Sequence, residues 1–245
     1  MNFNQTVQWH IEKDQLQLNK VLAEWIIDYI TQVLKKQDRF TWALSGGNTP
    51  KQLYELLAQP AFREKMPWNK LHIFFGDERH VPFDDPNNNG RMAFNALLKA
   101  VPVPPEQIHY IRTDVPPAKS ASGYETILHT YFDPLKYSFD LVLLGMGDDG
   151  HTLSLFPGSE IIYEKEHWVK SLYSSDHQQY RITLTPAIVN RAARIAFLAT
   201  GQQKSAVLKK VLQGSYEPEK FPAQIIQPQS GNTDWFMDEA AAGLL

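Results

Sequence analysis

The chain has no cysteine among its 245 residues. That excludes a disulfide-stapled scaffold, a thiolate metal site and a cysteine nucleophile. It also lacks a surplus of either charge: 24 Lys and Arg against 27 Asp and Glu leave a formal charge of −3, without the basic footprint that duplex nucleic acid requires. Long apolar runs are missing. The longest, near Leu141–Gly147, falls far short of the ~20 residues of a membrane-spanning helix, and the opening MNFNQTVQWHIEKDQ has no apolar core of a secretory signal. There is no HExxH or other zinc-ligand spacing, no GxSxG elbow, no internal repeat and no Gly/Ser linker. A cytoplasmic protein is expected, with neither a nucleic-acid nor a membrane partner and without metal.

What is present is a 43% apolar chain, enough for one large core or two small ones. Leu18, Leu22, Trp25, Tyr29 and Val33 recur at helical spacing, so roughly 16–36 reads as an amphipathic helix. Short apolar runs follow, at Phe40–Leu44, Leu71–Phe75, Ile108–Ile111, Phe139–Leu144 and Ile195–Thr200. Helical patterns lie between and after them, at 50–58, 90–99, 120–132, 186–193 and 203–213. This alternation predicts an α/β fold: a doubly wound, mostly parallel sheet with helices on both faces, a Rossmann-like three-layer sandwich. Such sheets bind ligands in the loops at the carboxyl ends of their strands, so the residues after each apolar run carry the functional information.

After Phe40–Leu44 comes Ser45-Gly46-Gly47-Asn48-Thr49-Pro50. Thr49-Pro50-Lys51-Gln52 reads as a capping box, and a glycine-rich helix start presents free N–H groups that suit a phosphate. The GK[ST] ending of a Walker loop is absent. An ordinary strand-to-helix turn is the alternative reading. After Leu71–Phe75 comes Gly76-Asp77-Glu78-Arg79-His80-Val81-Pro82, whose ionisable groups can supply an acid, a base and an anion clamp, or merely pair with one another.

Gly145-Met146-Gly147-Asp148-Asp149-Gly150-His151-Thr152 superficially fits GxGxxG. Two carboxylates where a pyrophosphate would sit, and Pro157-Gly158 soon after, oppose dinucleotide binding. What remains is a tight glycine turn delivering one histidine beside two acids. Histidine suits general-base work near neutral pH, with an Asp to fix its tautomer. With no serine elbow and no cysteine, the attacking group in a hydrolysis would be water. Arg181 opens the alternation Arg181-Ile182-Thr183-Leu184-Thr185. Lys204 stands at a helix start, where a cation opposes the helix dipole unless an anion neutralises it; an exposed lysine with its stem in water is the alternative.

Taken together, Leu44–Pro50, Gly76–Pro82, Gly147–Pro157 with its DGHT-x-SLFP text, Arg181–Thr185 and Gly201–Lys204 resemble the 6-phosphogluconolactonases of the glucosamine-6-phosphate deaminase / ribose-5-phosphate isomerase-like superfamily. Phe221-Pro222-Ala223 and Trp235–Ala241 resemble that family's closing segments. The resemblance runs in order over nearly the whole chain and implies one sugar-phosphate lactonase domain, 1–245. It implies hydrolysis of 6-phosphoglucono-δ-lactone without a cofactor, a phosphorylated sugar lactone as partner, and a monomer or small homo-oligomer. It implies His151 as the base, Asp149 as its orienting group or a hydroxyl ligand, and Arg79 near the phosphate or the oxyanion. Ser45, Gly46, Gly47, Thr49, Asn89, Arg181 and Lys204 would bind the substrate and its phosphate, with Asp77 and Glu78 in support. This chain departs from the family in having Asn88 before Asn89, where serine is frequent, Leu153 for alanine and Asn48 for serine. Deaminases of the superfamily tend to carry an acid just after the DGH segment, and Thr152–Pro157 has none. A sugar-phosphate sensor would need a DNA-binding module, for which no basic segment is present.

Overall fold

The computed structural model describes residues 6–245. Met1–Gln5, and with them the first part of the polar opening segment, lie outside the described residues. Among the described residues nine strands run in chain order: β1 (Thr6–Glu12), β2 (Phe40–Leu44), β3 (Leu71–Phe75), β4 (Asp77–Arg79), β5 (Leu141–Gly145), β6 (Val169–Ser174), β7 (Gln179–Leu184), β8 (Ile195–Ala199) and β9 (Asn232–Asp238). The helices are α1 (Gln15–Val33), α2 (Asn48–Leu57), α3 (Pro60–Arg63), α4 (Asn89–Ala96), α5 (Pro117–Phe132), α6 (Pro186–Val189), α7 (Ser205–Gln213) and α8 (Glu239–Ala242).

Six strands form a parallel sheet in the order β1-β9-β8-β5-β2-β3. Every residue of β2 and β8 is buried, as expected of strands covered on both faces, where the pattern is continuous rather than alternating. From β2 the chain steps outward to β3, then returns to place β5 on the other side of β2. That reversal between β2 and β5 is a topological switch point, and it opens a crevice at the strands' carboxyl ends. A second, antiparallel sheet of β4, β7 and β6 is tied to the end of β3 by the Leu184 N–H donating to the Gly76 carbonyl at 2.8 Å. The doubly wound sheet read from the sequence is therefore present, with this antiparallel sheet beside it.

Four local readings change. Ile108–Ile111 is not a strand but one parallel bridge, Ile73 to Ile108. The Ile108 N–H is taken by the Pro105 carbonyl, leaving only the His109 N–H for Ile73. Helix α6 is a single turn rather than 186–193, because the Ala193 N–H leaves for the Phe139 carbonyl and leads the chain into β8. Thr49 does not cap α2: the N-cap is Gly47, no side chain caps it, and Thr49 Oγ1 pairs with Thr200 Oγ1 at 3.2 Å. The polar opening segment contains β1, which joins the sheet beside β9. There Asp234, almost fully buried, accepts from His10 (2.9 Å) and Arg194 (2.7 Å), and the Arg194 guanidinium lies over Trp25 and Tyr29. No helix among the described residues is long and apolar enough to cross a membrane.

Candidate active site

The crevice at the switch point is walled by the ends of β2, β5 and β8 and by β4. Of the residues singled out in the sequence, Ser45, Gly46, Gly47, Thr49 and Asp77 line it, as do Arg79, Asn89, His151 and Lys204. Leading from β2, the Ser45 hydroxyl accepts from the Gly145 N–H at 3.1 Å, which joins the first loop to the third. Tyr54, nearly two turns into α2, brackets the same residue: its hydroxyl accepts from the Ser45 N–H (2.9 Å) and donates to the Ser45 carbonyl (2.8 Å). The first intrahelical bond of α2 runs from the Lys51 N–H to the Gly47 carbonyl, so the Asn48 and Thr49 amides have no intrahelical partner and face an anion-receptive end of the helix.

The third loop supplies a dyad. His151 Nδ1 lies 2.6 Å from Asp149 Oδ1, which also accepts the His151 backbone N–H at 3.1 Å. Burial alone would raise the Asp149 carboxyl, but the two hydrogen bonds from His151 and the attraction of its ring when protonated outweigh that and hold it down to about 2. An ionised carboxylate only accepts hydrogen bonds. In the neutral imidazole Nδ1 therefore carries the proton, and Nε2 is left with the lone pair a base needs. The dyad's position depends on glycine at 147, because a Cβ there would stand 2.1 Å from His151 Nδ1 and 2.5 Å from Asp149 Oδ1 and push them aside. Asp148, the neighbouring acid, turns elsewhere: its Oδ1 meets Lys204 Nζ at 2.5 Å. The dipole conflict expected at Lys204 is thus answered by the protein's own carboxylate.

On the opposite wall a network fixes Arg79. Its Nη1 donates to the Asn87 carbonyl (2.9 Å) and to Asn89 Oδ1 (3.0 Å), and Asn89 Nδ2 donates to Asp77 Oδ1 (3.2 Å). The other Asp77 oxygen accepts from the Ser154 hydroxyl at 2.7 Å. With both oxygens engaged, Asp77 is placed to shape the wall. Asn89 packs so closely on the first loop that a Cβ at Gly46 would stand 2.0 Å from its Oδ1. Leu153 lines the cleft with a left-handed φ of 56°, a conformation that favours glycine and costs a branched residue about 1 kcal/mol.

Three of the singled-out residues, Asp149, Arg181 and Glu78, do not line the crevice itself. Arg181 is not on the cleft wall. It is buried in β7, directly opposite Arg79, and the Nε atoms of both arginines are buried without a hydrogen-bond partner among the described residues. Burial and the Arg79 charge together lower its affinity for its proton. Glu78, 2% exposed, lies beneath the wall and accepts three backbone N–H groups, from Arg79, Asn89 and Gly90. Burial pushes its carboxyl up to about 7 against that support. A folded-state value above the ordinary 4.5 means its stabilising share is full below about pH 4.5 and drains as pH rises through 7. Glu78→Gln cannot ionise, yet it turns an NH₂ donor toward one of the three amides. The variant should be less stable at pH 5 by about 1–3 kcal/mol, with the gap narrowing at pH 8, as urea unfolding at the two pH values would measure. No motif spacing in the sequence announces the roles of Ser154, Thr200 and Tyr54: Ser154 reaches Asp77 and Thr200 reaches Thr49 across long chain separations, and Tyr54 reads as an ordinary position of the helix it lies in. No group of three or more metal-ligating side chains occurs among the described residues.

Fold and cleft together are those of a doubly wound α/β enzyme whose ligand end is the switch-point crevice. Residues 13–235 match the family described as glucosamine-6-phosphate isomerases/6-phosphogluconolactonase, and the chain belongs to that family. Over 236 residues it is 41% identical to a 6-phosphogluconolactonase of Nostoc sp. strain PCC 7120, covering 95% of each chain. It is likewise 41% identical to one from Synechocystis sp. strain PCC 6803 over 216 residues, covering 86% of this chain and 87% of the relative. The crystal structure of a 6-phosphogluconolactonase from Thermotoga maritima superposes with a TM-score of 0.83 at 30% identity, over 95% of this chain and all of that one.

Proposed function

We propose that the cleft hydrolyses 6-phosphoglucono-δ-lactone to 6-phosphogluconate in the oxidative pentose phosphate pathway, with the chain acting as one domain. The observation that carries this reading is the Asp149–His151 dyad, 2.6 Å apart, facing a crevice that also holds Lys204 and the free first turn of α2. His151 Nε2 takes a proton from a water molecule as its oxygen bonds to the lactone C1. The carbonyl oxygen becomes an oxyanion, with the Arg79 guanidinium across the cleft as its partner. Collapse of the tetrahedral centre breaks the bond from C1 to the ring oxygen, which takes the proton back from the imidazolium. The new carboxylic acid then ionises into solvent. Lys204, Thr49 and the α2 amides take the 6-phosphate, and Arg181 adds positive charge beside Arg79.

A deaminase-type proton shuttle on the sugar carbons needs a free carboxylate where Asp77 stands. Here both oxygens of that group are held by Asn89 and Ser154, which favours the lactonase. The deciding assay follows loss of freshly prepared 6-phosphogluconolactone against its spontaneous rate. Ammonia release from glucosamine 6-phosphate instead would establish the deaminase. Asp149→Asn should keep the fold but let the imidazole settle in either tautomer. Because Asp149 is about half exposed, water partly replaces it, and kcat should fall about 10- to 100-fold rather than the larger loss seen when such a partner is buried. Single-turnover measurements at saturating lactone would check this, and an unchanged kcat would remove Asp149 from the mechanism.

A further inference from the structure

One loop holds two carboxylates with two different partners. Asp149 grips the base, while Asp148 reaches across the crevice mouth to Lys204, Oδ1 to Nζ at 2.5 Å. The two ends of the pair differ in setting. The Lys204 side chain is 18% exposed and lines the cleft, whereas Asp148 is 68% exposed and stands outside the wall. A negative group already occupies the cation that a ligand phosphate needs.

We propose that Asp148 is a built-in competitor for the phosphate anchor, a residue that sets how tightly phosphorylated ligands are held. The inference rests on the reading of Lys204 as that anchor. In the empty site the carboxylate pairs with Lys204; a bound phosphate, with charge of about −1.5 to −2 at neutral pH and three acceptor oxygens, displaces it. The displaced carboxylate has solvent to move into, as its exposure shows. Affinity for a ligand that needs the free lysine is reduced by the fraction of time the lysine is free. That reduction is the same for every such ligand, whether substrate, product or inorganic phosphate. For the product it works in favour of turnover, since Asp148 re-forms its pair as the phosphate leaves. An exposed ion pair is worth up to about fivefold in such an equilibrium.

The test compares wild type, Asp148→Asn, Asp148→Glu and Lys204→Ala. Calorimetry gives the Kd of inorganic phosphate, and steady-state kinetics gives the inhibition constant of the product, 6-phosphogluconate. In Asp148→Asn both constants should fall, each by about fivefold and by the same factor. Asp148→Glu, which keeps the charge, should restore the wild-type values; a packing or loop-forming role would instead make Asp148→Asn bind more weakly. Catalytic efficiency toward the phosphorylated lactone, relative to unphosphorylated gluconolactone, should rise by a similar factor in Asp148→Asn. Unchanged or weakened phosphate binding in Asp148→Asn overturns the competitor role, and Lys204→Ala then tells the two readings apart. If Lys204→Ala loses phosphate affinity, the anchor stands and only the competitor fails. If it binds phosphate as wild type does, the anchor and the competitor fall together.

Discussion

His151→Ala should lower kcat on 6-phosphogluconolactone by about 10²–10⁴-fold, the range of a positioned general base, while KM changes little. The reason lies in what the substitution leaves behind. The phosphate end of the cleft, the Arg79 network and the Ser45 bracket involve no atom of His151, so ground-state binding survives while water loses its proton acceptor. A drop in kcat at constant KM is the signature of an interaction made only in the transition state. The lactone opens unaided in water, so rates must be read as the excess over the spontaneous reaction. His151→Gln is the sharper partner variant: it keeps a polar group near Asp149 but has no basic nitrogen, and it should fall as far as alanine. A kcat equal to wild type in either variant would sink the base assignment.

The parts of this site that were legible in the sequence are those where chain neighbours do the work. Asp149 and His151 are two residues apart, so a tight glycine turn between them is enough to make the dyad, and the pattern shows it. The strand ends that carry the site were equally readable, because β2, β3, β5 and β8 are largely apolar runs; the order of those strands, and with it the switch point, was not. Pairings across long chain separations were not. Ser154 on Asp77 spans 77 residues, and the Ser45–Gly145 bond spans 100; nothing local in either segment demands the other. For the same reason the choice between Asp148 and Asp149 as the histidine's partner needed the folded arrangement, since both carboxylates are within reach by spacing alone. Arg181 is a different case. Its alternating surroundings correctly describe a strand, but strand register, not composition, decides that it stands beside Arg79 without lining the crevice. The edge strand β1 escaped notice because its Val7, Trp9 and Ile11 alternate with polar residues and remain 42–45% exposed, so its segment reads as polar. Its place in the sheet is set by β9, more than two hundred residues away.

Lys204→Ala should raise KM for the phosphorylated lactone about 10- to 100-fold, the equivalent of losing a charge-assisted hydrogen bond of about 1.5–3 kcal/mol. For unphosphorylated gluconolactone the change should stay below about twofold, because a neutral lactone gains nothing from the lysine. The expected loss sits toward the upper part of that range, since removing the ammonium also strands Asp148. Its carboxylate, no longer paired at 2.5 Å, would then face the incoming phosphate as a like charge, and like charges at close range repel even through partly screened solvent. The double variant Lys204→Ala/Asp148→Asn isolates that share: relieving the repulsion should recover a few-fold of the lost affinity, so the two substitutions will not be additive. Raising the ionic strength should shrink the single variant's deficit for the same reason, and leave the double variant nearly unmoved. Equal losses on phosphorylated and unphosphorylated lactone would place Lys204 outside the phosphate site, whatever its distance from Asp148.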